Sequence, residues 1–320
     1  MRNTPLNLIR AVAPFAIVAT LAGCNTPVAE PEVAAAAFTA ELKCGQLPIS
    51  VDGRGEQLTL HAADQQLTLQ QAISASGARY VGEDETQTSL WFKGEQAALV
   101  WQGMEYPQCA PAGAVVEPFR ASGNEPFWSL TLEQGSLTLH RLNEGELPAQ
   151  DYIAADTQGE YVSQGDPRIR LRLTDELCRD DMSGMPHPQR ASVEVDGTTL
   201  TGCGGDPARL LQGAEWVVED INAGGIIDRS RVTLNFWQDG RITGRASCNN
   251  LMGQYQLSGE GLSIGQVATT RMACAPALLE QEQRVLGNLA QVQRFDVDET
   301  GALLLHSAEG SLKARLEYRE

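Results

Sequence analysis

The stretch Gln57-Leu58-Thr59-Leu60-His61-Ala62-Ala63-Asp64-Gln65-Gln66-Leu67-Thr68-Leu69 places apolar residues at every second position in two short runs. Such alternation is typical of β-strands that have one buried and one exposed face. The same period recurs in Leu137/Leu139, Ile169/Leu171/Leu173 and Ala191/Val193/Val195. The pattern predicts a mainly β fold, built from short antiparallel strands.

Turns and linkers divide these strands into groups. The turn dipeptides are Asp52-Gly53, Asp196-Gly197, Asp239-Gly240 and Ser258-Gly259. Breaks rich in proline, glycine and alanine lie at 110–114 and 204–207. We therefore expect three small antiparallel β domains in series, at 38–110, 115–205 and 208–320. The last is expected to carry one helix.

The predicted helix lies in the last domain. Pro276 suits a first helical position, because its missing N–H would have no partner there. Apolar residues follow at helical spacing, at Leu278, Val285, Leu286, Leu289 and Val292. The polar residues between them are expected to face solvent, and they are Glu280, Gln281, Glu282 and Arg284.

The N-terminus predicts export. Arg2 and Arg10 precede an apolar run at 11–19. The run is too short to span a bilayer, and this order of charged and apolar residues is that of a secretory signal. The sequence Leu21-Ala22-Gly23-Cys24 resembles the bacterial lipoprotein signal. The resemblance implies a signal peptide at 1–23, acylation of Cys24, a tether at 24–37 and an envelope location. Asn25 after the cysteine implies the outer membrane, facing the periplasm. An ordinary signal peptide with a chance cysteine is the alternative.

The remaining cysteines predict disulfide bonds. Six are left after Cys24, an even number in an exported chain, and six cysteines allow 15 pairings. Pairing in sequence order gives one bond to each expected domain, as Cys44–Cys109, Cys178–Cys203 and Cys248–Cys274. Metal ligation is the rival interpretation, but the chain has no C-x-x-C and no close Cys/His group, so no metal site is predicted.

Charge and motifs exclude several classes of function. The net charge is −17, and loss of Arg2 and Arg10 with the signal makes it more negative, which disfavours nucleic acid as a partner. No nucleophile elbow, zinc-protease motif, phosphate loop or dinucleotide fingerprint occurs, and the four histidines are scattered. We therefore expect neither an enzyme nor a cofactor.

Two blocks in the first domain resemble a known inhibitor family. The blocks are Ser74-Ala75-Ser76-Gly77-Ala78-Arg79-Tyr80 and Trp91-Phe92-Lys93-Gly94, between Cys44 and Cys109. They resemble the membrane-bound inhibitors of c-type lysozyme, which implies a small barrel closed by one disulfide and a c-type lysozyme as partner. The resemblance also implies that Ser76 and Lys93 enter the lysozyme active-site cleft.

The resemblance assigns further residues to the lysozyme-binding site. Gly77 is expected to allow a close backbone approach, and Arg79 and Tyr80 to brace the loop that carries Ser76. The acidic segment Glu83-Asp84-Glu85 makes the connection between the blocks longer than expected. It could pair with Lys93 or block the cleft, so a barrel that has lost inhibition stays open as an alternative.

The other two domains resemble families whose activity is not established. The stretches Ala121–Trp128, Cys178–Gly184 and Gly202–Gly205 resemble an uncharacterised domain of bacterial envelope lipoproteins. Blocks from Trp216 to Glu282, including Ser247-Cys248-Asn249 and Thr269-Thr270-Arg271, resemble the META/HslJ family, which is linked to envelope stress and antibiotic tolerance. A lipoprotein that acts as a binding or scaffolding module through this last domain is therefore the alternative to lysozyme inhibition.

Overall fold

The computed structural model describes residues 37–83, 87–142, 144–227, 230–259, 261–308 and 310–317. The predicted signal peptide, Cys24, Asn25 and nearly all of the tether lie outside these residues. The described part of the chain folds into three consecutive antiparallel sheets and one α-helix, which confirms the predicted fold class. No helix in these ranges is both long and apolar enough to cross a membrane.

The first sheet contains the alternating stretch from Gln57 to Leu69. Leu58 and Leu60 are fully buried, and they pair with Leu69 and Leu67 on the next strand. Pairing between β6 and β7 closes the sheet into a barrel in the order β6-β5-β4-β3-β2-β1-β9-β7. The strands are β1 Phe38–Cys44, β2 Leu47–Arg54, β3 Gln57–Ala62, β4 Gln65–Ala72, β5 Ala78–Val81, β6 Ser89–Lys93, β7 Gln96–Trp101, β8 Met104–Glu105 and β9 Cys109–Ala110.

One predicted turn of this barrel is wrong. Asp52-Gly53 lies inside β2, because Gly53 continues the ladder by pairing with Leu58. The chain reverses instead after Arg54, where Gly55 has a φ of +61°. This left-handed conformation is one that glycine adopts without steric cost.

The second sheet also closes on itself, because β11 pairs with both β10 and β12. Trp128 is fully buried in its core, and its Nε1 donates a hydrogen bond of 3.1 Å to the Thr201 carbonyl. The strands are β10 Phe119–Asn124, β11 Phe127–Glu133, β12 Ser136–Arg141, β13 Gly145–Glu146, β14 Gln150–Ala154, β15 Glu160–Ser163, β16 Arg170–Thr174, β19 Gln189–Val195 and β20 Thr198–Gly204, with β17 Cys178–Arg179 and β18 Pro186–His187 as a separate pair.

The third sheet has the order β25-β24-β23-β22-β21-β29-β28-β27 and packs against helix α1. Trp216 and Phe295 are nearly fully buried in its core. A 3-10 helix at Pro207–Leu210 leads into it, and the other elements are β21 Glu215–Ile221, β22 Arg231–Phe236, β23 Arg241–Ser247, β24 Asn250–Ser258, β25 Gly261–Ile264, β26 Ala268–Thr269, α1 Pro276–Ala290, β27 Val292–Val297, β28 Leu303–Ser307 and β29 Gly310–Glu317.

Helix α1 begins at Pro276 as predicted, but two details of the prediction are wrong. Val292 lies in β27, after the helix has ended at Ala290. Gln281 and Glu282, which were expected to face solvent, are 0% and 4% exposed. Their polar groups hydrogen-bond mainly to residues of the segments that flank β22 and β23, so the buried face of the helix contains polar atoms that have partners.

The six cysteines form the bonds Cys44–Cys109, Cys178–Cys203 and Cys248–Cys274, the pairing in sequence order. The first bond ties β1 to β9 in the barrel. Beside this bond, the barrel is hydrogen-bonded to the segment that leads into the third sheet. Gln46 N donates to the Gln212 carbonyl at 2.7 Å. Arg209 Nη2 also donates to the carbonyls of Lys43 and Gln108, at 3.2 and 2.9 Å.

Candidate functional site

Ser76 and Lys93 lie at one end of the barrel. Ser76 is exposed in the loop between β4 and β5, and Lys93 is the exposed last residue of β6. The register of β5 and β6 pairs Ala78 with Phe92, so the two sequence blocks are neighbours across one strand pair. The structure thus brings together two residues that are 17 positions apart in the sequence.

Trp91 connects the two blocks physically. Its indole Nε1 donates a hydrogen bond of 2.8 Å to the carbonyl oxygen of Ser76. Its ring also lies beneath the Lys93 ammonium, with Nζ 4.1 Å from the ring centroid. A cation over an indole face is attracted by the ring quadrupole, by about 0.5–1 kcal/mol at an exposed site. One side chain therefore fixes the loop of Ser76 and orients Lys93.

Gly77 permits the close contact of the loop with β6. Its φ is +66°, and a Cβ at this position would meet the carbonyl oxygen of Phe92. Ser74 Oγ adds a hydrogen bond of 2.9 Å to the Gly77 carbonyl, within the same loop. Gly94 has a similar φ of +64°, but a Cβ there would point into open space. Of these two glycines, Gly77 alone is required by both its backbone conformation and its surroundings.

Tyr80 and Arg79 differ in their exposure. Tyr80 is only 4% exposed and packs in the barrel core, with its ring 6.4 Å from that of Phe92. The Tyr80 ring therefore packs within the barrel, and its membership of the lysozyme-binding set stays a prediction. Arg79 is exposed and lies opposite Trp91 on the strand pair.

The Lys93 ammonium is available to a partner. Among the described residues, no carboxylate lies within 4.0 Å of it, whereas twelve contacts between arginine or lysine and a carboxylate form elsewhere. Asp84 and Glu85 of the acidic segment, with which Lys93 could pair, lie outside the described residues. The contact of Lys93 with the Trp91 ring uses no hydrogen-bond acceptor, so the ammonium can still donate its N–H groups to a partner.

Sequence reasoning missed two residues at this end of the barrel. The motif gives Trp91 no role of its own, although an aromatic residue two positions before an exposed lysine on a strand lies on the same face. Ile73 is fully exposed at the start of the Ser76 loop, which is unusual for a large apolar side chain. Its position after a polar run, Gln70-Gln71, gave no hydrophobic signal.

The conspicuous polar motif of the third domain is buried and internally satisfied. Glu282 accepts hydrogen bonds from Asn249 N and Asn249 Nδ2, at 2.9 and 3.0 Å. Asn249 Oδ1 in turn accepts from Thr270 Oγ1 at 2.9 Å and from Met272 N at 2.7 Å. These residues hold together the segments beside the Cys248–Cys274 bond, so their polar atoms are already engaged. Arg271, in contrast, is exposed.

The described residues contain no group of three or more His, Cys, Asp or Glu side chains arranged to hold a metal ion.

Two regions of the chain match family models. Residues 43–108 match the family described as membrane-bound lysozyme-inhibitor of c-type lysozyme, and residues 209–320 match the META domain. The barrel is thus a domain of the inhibitor family, and the third sheet is a META domain. The region between them is matched by neither model.

No curated protein matches this chain. Among solved structures, one NMR structure of a protein is 29% identical and covers 33% of this chain and 91% of its own, with a TM-score of 0.29. Another, of a protein from Burkholderia xenovorans, is 25% identical and covers 36% and 90%, with a TM-score of 0.31. Scores at this level carry no argument about the whole chain.

Proposed function

We propose that this protein inhibits c-type lysozyme by inserting Ser76 and Lys93 into the active-site cleft of the enzyme. The observation that carries the proposal is the joint support of both residues by Trp91, in a domain of the inhibitor family. Side chains that are already held in place lose less conformational entropy when they bind, so less free energy is spent on ordering them.

The chemistry of the target suits these two side chains. A glycoside hydrolase of this type uses two carboxyl groups on either side of the scissile bond. The Lys93 ammonium can donate up to three hydrogen bonds and forms charge-assisted bonds with carboxylates. The Ser76 hydroxyl can donate to a carboxylate or accept from a protonated carboxyl group. Together they would engage both catalytic groups and occupy the place of the sugar.

Long-range charge favours the encounter. Residues 38–110 contain nine acidic and four basic residues. The partner is expected to be basic, as many c-type lysozymes are. Complementary charge of this kind raises association rates at low salt. The proposal includes a lipid anchor at Cys24 in the outer membrane, which would hold the inhibitor on the periplasmic face, where lysozyme attacks the cell wall.

The test is a cell-wall lysis assay with the full chain, in which c-type lysozyme is titrated with wild type and with Lys93→Met. We expect Lys93→Met to weaken inhibition by about 100-fold, because loss of one partner of a desolvated charge pair costs about 2–5 kcal/mol. Arg54→Met removes one positive charge elsewhere on the barrel and is expected to inhibit like wild type. Equal inhibition by Lys93→Met and wild type would contradict the proposal.

A further inference from the structure

A groove separates the barrel from the second sheet beside the Lys93 turn. Its volume is about 690 Å³, and the two walls come from the barrel and from residues 154–161. Its floor on the barrel side is aromatic, formed by Phe38, Tyr80 and Phe92. Phe38 and Phe92 meet edge to face, with their ring centroids 5.8 Å apart, and Phe38 is 38% exposed.

The charged residues that line this groove are all acidic. Glu41, Glu95 and Asp156 are exposed, and no lysine, arginine or histidine of the described residues lies within 4.0 Å of their carboxylates. No basic residue is among the described residues of the lining. A fourth acid, Glu160, is already neutralised by ion pairs with Arg170 and Arg172, at 3.0 and 3.2 Å.

The groove is continuous with the lysozyme-binding end of the barrel. Gly94 and Glu95, which form part of its wall, directly follow Lys93. Burial raises the pKa of the Tyr161 phenol, and the negative charge of Glu95 contributes to this rise across the groove. A partner that receives Lys93 therefore also approaches the second domain.

Hydrogen bonds fix the second domain beside the barrel. Val115 N donates to Tyr161 Oη at 2.9 Å, and Gln158 Nε2 donates to the Ala112 carbonyl at 2.9 Å. These bonds attach the 110–115 connection to the 155–161 segment. The groove wall is thus held by the connection that leaves the barrel at β9.

We propose that this groove receives a basic side chain, lysine or arginine, from the rim of the same lysozyme cleft that takes Lys93. The proposal rests on the proposed function and adds the second domain to the interface. The aliphatic stem of a lysine or arginine packs well on aromatic rings while its cationic end reaches carboxylates. Three unpaired carboxylates around an aromatic floor complement such a side chain and repel acidic partners.

The test measures the dissociation constant of c-type lysozyme and the full chain, in detergent, at several salt concentrations. The groove variant is Glu95→Gln with Asp156→Asn. The control is Glu133→Gln with Glu194→Gln, which removes the same charge from exposed positions outside the groove. We expect the groove variant to bind about five- to tenfold more weakly than the control at low salt, since it loses two exposed carboxylates that are each expected to contribute modestly to binding. The difference should shrink as salt increases.

Three results separate this inference from the proposed function. A groove variant that binds like the control, while Lys93→Met still abolishes inhibition, would overturn the groove alone. Absence of any binding by the wild-type chain would overturn both proposals. A groove-specific loss that fades with salt, together with loss of inhibition by Lys93→Met, would support both. Thermal unfolding of each variant checks that the fold is retained.

Discussion

The end of the barrel and the polar cluster of the META domain use polar side chains in opposite ways. At the barrel end, Ser76 and Lys93 are exposed, and Trp91 supports them through a backbone carbonyl and through its ring. In the META domain, Asn249 and Glu282 are buried and bond to each other. Polar groups that are free yet well supported are suited to a partner, whereas polar groups that satisfy one another stabilise the fold.

The largest effect is expected for Glu282→Ala, on the stability of the META domain. Glu282→Ala removes both acceptors of Asn249 and leaves buried donors unpaired, which costs about 1–3 kcal/mol for each unsatisfied group. We expect faster hydrogen exchange throughout α1 and the segments beside Cys248–Cys274, with unchanged lysozyme inhibition. Gln283→Ala, at the exposed next position, is the matched control. If Glu282→Ala lost inhibition while its amides stayed protected from hydrogen exchange, Glu282 would act in binding and not in stability, which would contradict the comparison.

The next effect concerns two glycines with nearly the same backbone conformation. Gly77→Ala places a Cβ against the Phe92 carbonyl, whereas Gly94→Ala places it in open space. Both variants bear the cost of a positive φ, about 1–2 kcal/mol, but only Gly77→Ala must also displace the loop that carries Ser76. We expect about tenfold weaker inhibition for Gly77→Ala than for Gly94→Ala in the lysis assay. Equal inhibition by the two variants would show that the loop position is unimportant.

The smallest effect separates the two roles of Trp91. Trp91→Phe keeps an aromatic face beneath Lys93 but loses the donor to the Ser76 carbonyl. One such hydrogen bond contributes about 0.5–1.5 kcal/mol, so inhibition should weaken about two- to tenfold. Trp91→Leu loses both contacts and should weaken inhibition further, as measured by titration of lysozyme activity. Identical inhibition by wild type and both variants would remove Trp91 from the account.

Sequence patterns predicted the local features of the fold well. Alternation identified strands such as β3 and β4, because burial on one face leaves a period of two. Pro276 marked the first residue of α1, and sequence order matched the cysteine pairing. Asp52-Gly53 failed because a dipeptide does not reveal whether strand pairing continues past it.

The features that sequence patterns did not predict depend on contacts between distant segments. Gln281 was expected to face solvent, yet its amide group bonds to Ile227 N, Ser230 Oγ and Ser247 Oγ, all from outside the helix. The hydrogen bond from Trp91 to Ser76 likewise required the register of β5 and β6. The groove beside Glu95 depends on how the barrel packs against the second sheet. The spacing of apolar residues predicts single strands but not the packing of one domain on another.

The most direct test of cleft insertion is a competition experiment. Lysozyme is saturated with a chitooligosaccharide that occupies the catalytic subsites, and binding of the full chain is then measured. Insertion of Ser76 and Lys93 predicts mutually exclusive binding, so the apparent dissociation constant should rise in proportion to the sugar concentration. Simultaneous binding of the chain and the sugar, with an unchanged dissociation constant, would contradict the account.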